Sequence, residues 1–164
     1  MNQVHIAKDA LCFAAGAFGA FVAQAFGGWS GAMTTLVICM IIDYATGLIV
    51  AGVFHKSRKT EDGTLESRAG WKGLVRKGIS LFVVLIAARL DLLLGTTIIR
   101  DTVIIGFIAN EIISITENAG LIGIPIPKVI VNAIHVLKDE ESRGAEAVEK
   151  MRTSPDEPDR EDKE

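Results

Sequence analysis

Residues 33–54 read MTTLVICMIIDYATGLIVAGVF, twenty-two residues with one charged side chain, Asp43. A helix needs roughly 20 apolar residues to cross the hydrocarbon of a bilayer, so this block can span one. Three further blocks have related character. Residues 10–26 (ALCFAAGAFGAFVAQAF) are rich in Ala and Gly, residues 78–94 (GISLFVVLIAARLDLLL) are strongly apolar, and residues 102–119 (TVIIGFIANEIISITENA) mix apolar and polar groups. Gly27 and Gly28 break the chain between the first two blocks, and Trp29 beside them suits a membrane interface. Pro125 and Pro127 stop the fourth, because proline cannot continue a helix. The expected fold is an all-α integral membrane protein with about four transmembrane helices, at 10–26, 33–54, 78–94 and 102–119. Residues 129–137 are expected to form a short amphipathic helix on the membrane surface.

Charge is divided unevenly along the chain. Residues 55–77 hold seven Lys/Arg against three Asp/Glu, and residues 139–164 hold five against eleven. Basic loops stay in the cytoplasm, so 55–77 is expected inside. Four spans then place both termini in the cytoplasm, with 27–32 and 95–101 as short external links. The acidic segment 139–164 has few large apolar groups and reads as a disordered tail behind a transmembrane domain of residues 1–138. Lys8, the apolar run from Ala10 and the triplet Ala23-Gln24-Ala25 also fit a cleavable signal peptide. Spans two to four would keep their orientation in that case.

No catalytic centre is legible, and neither a cofactor, a metal nor a nucleic acid is expected. Cys12 and Cys39 lie inside apolar blocks, where a thiol behaves as a small hydrophobe. His5, His55 and His135 are scattered and form no ligand pattern with them.

Asp43, Arg89, Asp91 and Glu111 are charged residues set within the apolar blocks. A charge at mid-bilayer costs roughly 2.5–3.5 kcal/mol, so such groups face protein or water and have partners. Asp43 stands eleven residues before Phe54, and Arg89 eleven after Gly78. At about 1.5 Å per residue both lie about 16 Å from the inner edge, which predicts an Asp43–Arg89 pair with Glu111 competing for the same arginine. On the second block Thr35, Cys39, Asp43, Thr46, Gly47 and Ala51 recur at helical spacing as a small, polar stripe. On the fourth, Asn110, Glu111, Ser114, Glu117 and Asn118 form another. Such stripes either hold helices together or line water after assembly. In the first block Gly16/Ala20 and Gly19/Ala23 are small-xxx-small pairs that favour close helix packing.

FGGW at 26–29, DYATG at 43–47, SRAGWKGLVRK at 67–77 and ANEIISITENAGLIGIPIPK at 109–128 occur in that order. In these segments the chain resembles the bacteriophage holin family that includes clostridial toxin-secretion holins. Asp43 and Gly47 match its DY-TG motif, and Glu111, Ser114, Glu117 and Asn118 its NE--SI-EN motif. Ile124 stands where leucine is usual, and residues 59–66 look like an insertion. The resemblance implies a protein that accumulates in the host cytoplasmic membrane and assembles with copies of itself. It would then open lesions that release a cell-wall hydrolase or toxin without necessarily touching it. It supplies no catalytic residue. Two other classes fit the residues alone: a small proton-coupled transporter built on the intramembrane carboxylates, and a membrane scaffold read through its acidic tail.

Overall fold

The computed structural model describes residues 3–57 and 65–153. Five helices account for nearly all of them: α1 (Gln3–Ala25), α2 (Gly31–Gly52), α3 (Ser67–Leu94), α4 (Ile98–Leu121) and α5 (Lys128–Thr153). Among the described residues two helical stretches are long and apolar enough to cross a membrane, His5–Ala25 and Gly31–Gly52.

The turns follow local chemistry. Gly27 and Gly28 take φ of 72° and 98°, the left-handed region that glycine enters without a Cβ penalty. Ser30 then caps α2, its hydroxyl accepting from the Met33 amide at 3.1 Å. Gly95 closes α3 in the left-handed conformation that commonly ends a helix. The first turn of α4 has no cap from Thr97, and Asp91 supplies one from the preceding helix. Its carboxylate accepts from the Ile99 amide at 3.1 Å, the Arg100 amide at 2.7 Å and the Thr96 hydroxyl at 2.5 Å. An anion beside those orphan amides also meets the positive end of the helix dipole.

α4 is the central helix, in contact with α2, α3 and α5. Met33, Leu36 and Met40 of α2, Val84 of α3, and Ile104 and Ile108 of α4 form the buried core. Among the described residues α1 contacts one other helix, α3, and its residues 5–21 are exposed in the single chain.

Three expectations need correction. The third helix begins at Ser67 rather than at Gly78, because the basic stretch 67–77 is its first three turns and not a loop. The last helix is not a short surface segment of residues 129–137 but runs to Thr153 and packs along α4. Disorder expected from Asp139 is therefore replaced by helix through Thr153, since docking on α4 gives the segment a partner that its composition did not reveal. Residues 154–164 of that expected tail lie outside the described residues.

Candidate functional site

Antiparallel packing sets the register of α2 against α3. Gly52 lies opposite Leu65, Tyr44 opposite Gly70 and Gly73, and Gly27 opposite Ala88. Tyr44 packs over these two glycines, its hydroxyl 3.6 Å from where a Gly70 Cβ would stand. This register carries Lys77, not Arg89, to the level of Asp43.

Lys77 is the hub of the site. Its Nζ lies 2.8 Å from Asp43 Oδ2 and 2.5 Å from Glu111 Oε2, so one ammonium joins carboxylates from two other helices. All three side chains are close to buried, at 13% exposure for Lys77 and 8% for each acid. Asn118 completes the α2–α4 contact. Its amide donates to Asp43 Oδ1 at 3.2 Å and to Thr46 Oγ at 3.1 Å. Gly47 lies against this amide, where a Cβ would stand in ordinary contact, 3.8 Å from Asn118 Nδ2.

Parts of the two polar stripes read from the sequence therefore meet each other, while Thr35 is exposed. Asp43, Thr46 and Gly47 face Glu111 and Asn118 across the α2–α4 seam, and Ser114 lies in the same wall. All of these but Thr46 line a cavity of about 370 Å³ that extends past Tyr44, Gly70 and Gly73 toward Ser57 and Glu66 at the loop end of the helices. Asn110 and Glu117 are exposed outward on α4 yet reach the same cavity.

Other expected site residues fall elsewhere. Arg89 is exposed on α3 and forms no ion pair among the described residues. Equal depth for Asp43 and Arg89 would require α3 to start at Gly78, and it starts at Ser67. Eleven further residues of helix shift the level by about 16 Å at the α-helical rise. Asp91 is buried, but as the cap of α4 and not as a lining group. Gly16, Gly19 and Ala20 are exposed, and a Cβ on either glycine would meet nothing within 4 Å. Ala23 is half-buried.

Two functional positions were not singled out from sequence. Lys77 ends the run RK that directly precedes the apolar block, and a helical reading of 67–77 would have turned it inward with Ala69, Gly70 and Gly73. Arg100 donates from Nη1 to the carbonyls of Phe26 at 3.2 Å and Gly27 at 3.0 Å, tying the α1–α2 turn to the start of α4. Nothing in its local pattern announces that contact, which joins residues more than seventy positions apart.

Fold and site together define a small all-helical membrane protein whose buried polar groups lie between helices. The chain belongs to the bacteriophage holin family, which it matches over residues 20–139. A probable holin of Bacillus phage phi105 is 35% identical over 112 residues, covering 68% of this chain and 77% of the phage protein. An uncharacterised protein of Halalkalibacterium halodurans is 35% identical over 139 residues, 81% of this chain and 97% of that one. Another from Listeria monocytogenes is 38% identical over 118 residues, 71% of this chain and 79% of its own length. No solved structure matches the chain.

Proposed function

We propose that this chain is a lysis holin of the cytoplasmic membrane, with α1–α4 as four spans and both termini inside. It accumulates, assembles with copies of itself, and opens lesions through which an endolysin or toxin leaves the cell. The observation that carries this reading is the family match over residues 20–139, which takes in α2, α3 and α4 whole and every member of the Lys77 bridge. Exposure of Leu11, Phe13, Phe18 and Phe21 on α1 supports assembly, since that helix offers lipid or a second copy most of its surface. Open space at Gly16 and Gly19 would admit a close helix partner. The chamber around Lys77 supports a water-lined path, because its walls carry polar groups from three helices.

The same chamber favours a second reading, a small proton-coupled transporter, since buried carboxylates near mid-depth mark proton relays. Timed expression in bacteria separates the two, with membrane potential and optical density recorded together. A holin gives steady growth, then abrupt depolarisation and falling density. Continued growth with a substrate-dependent pH change would establish the transporter instead.

A further inference from the structure

Ile130, Ile134, Leu137, Glu141, Gly144 and Val148 follow one another along α5 at intervals of four and three residues, the spacing of a helix-packing seam. That seam lies on α4. Leu137 packs against the core cluster. A Cβ on Gly106 of α4 would stand 2.5 Å from Glu141 Oε1, and one on Gly144 would collide with the Thr102 hydroxyl. Each helix thus gives up a side chain where the other approaches, and the two run antiparallel at close contact.

The contact conflicts with a bilayer. From Lys138 to Arg152 α5 carries nine charged residues, against two between Thr102 and Ala119 on α4. Were α4 to cross the hydrocarbon with α5 attached, those nine would be drawn beside it, and charge in hydrocarbon is costly. Docked α5 therefore belongs to a state in which this face of α4 is not in lipid.

We propose that α5 is a releasable cover: docked, it keeps α4 out of the bilayer, and it leaves when α4 crosses. The inference rests on the membrane reading of α4, and its test reads α4 separately from lysis. In a chain with Cys12→Ser and Cys39→Ser, Thr102→Cys and Gly144→Cys place a disulfide across the contact. Phe107→Trp, with Trp29→Phe and Trp71→Phe, makes α4 fluorescent. The oxidised and the reduced full-length chains are added to dye-loaded liposomes containing lipids brominated on their acyl chains.

The reduced chain should show at least threefold more tryptophan quenching than the locked one, and reductant should restore it. Equal quenching, or none in either form, overturns the cover. Strong quenching of the reduced chain without dye release would leave the cover standing and remove the holin reading. Should the locked chain misfold, Gly144→Leu without the cysteine pair decides the matter. Its side chain cannot seat on Thr102, so quenching should develop at least twice as fast as with Gly144, and an unchanged rate overturns the proposal.

Discussion

Lys77 holds two carboxylates that would otherwise repel each other in a confined space. Removing one partner of a buried ion pair commonly costs about 3–5 kcal/mol, because the remaining charge is stranded. Lys77→Met should therefore lower stability by roughly that amount, read as thermal unfolding in detergent by circular dichroism. Glu111→Gln should cost less, since Lys77 keeps Asp43 at 2.8 Å. The register makes a sharper claim. Asp43→Asn and Lys77→Met should couple by more than about 1 kcal/mol, whereas Asp43→Asn and Arg89→Gln should add within about 0.5 kcal/mol. Coupling with Arg89 and additivity with Lys77 would refute the placement of α3. At the other end of that helix Asp91→Ala removes the acceptor for two amides of α4, and should cost about 1–2 kcal/mol, as lost caps do. Asp91→Asn should retain part of it, because an amide oxygen still accepts.

At the level of elements, hydropathy read the apolar helices well and the amphipathic ones poorly. Block 33–54 corresponds to α2 (Gly31–Gly52), and block 102–119 lies within α4 (Ile98–Leu121). Apolar content marks α2 directly, whereas α4 carries Asn110, Glu111, Ser114, Glu117 and Asn118 and is less plain by hydropathy. The first three turns of α3 were lost to a different cause. Their inward positions are Ala69, Gly70, Gly73 and Lys77, which are small or charged, while Trp71, Leu74 and Val75 are exposed. The helical period is present there, but it is not a period of hydrophobicity. Reading the stretch as a loop moved every depth on α3 and produced the wrong partner for Asp43. The stripes of α2 and α4 do not depend on where α3 starts, because each is read from spacing within its own helix. Leu74→Pro tests the helix itself. Proline inside a helix removes a hydrogen bond and clashes with the carbonyl four residues back, at about 3 kcal/mol or more. A loop would absorb the change. Loss of helical signal and a fall in unfolding temperature are expected; neither would follow if 67–77 were irregular.

Across the whole molecule, α4 is covered on three sides by α2, α3 and α5, and the polar groups of the site face inward along it. Such an arrangement orients itself by its ends. Arg68, Lys72 and Arg76 are exposed on the first turns of α3, beside the loop that joins α2 to α3. Basic residues near span ends are retained in the cytoplasm, so this end should face inward. Ser30 and Thr97 stand at the opposite end, where Arg100 ties the two outer turns together through the Phe26 and Gly27 carbonyls. Reporter fusions at Ser30 and Thr97 should read external, and a fusion at Asp62, which lies outside the described residues, internal. A fusion at Ser154, also outside them, discriminates further. Antiparallel docking carries the far end of α5 past Thr102, toward the Ser30 and Thr97 end, whereas a released α5 leaves Ser154 with the cytoplasmic loop. In membranes of expressing cells Ser154 should therefore read internal. An external signal there, with Asp62 internal, would mean that α5 crosses the bilayer with α4. An external signal at Asp62 would invert the topology and sink the four-span arrangement outright.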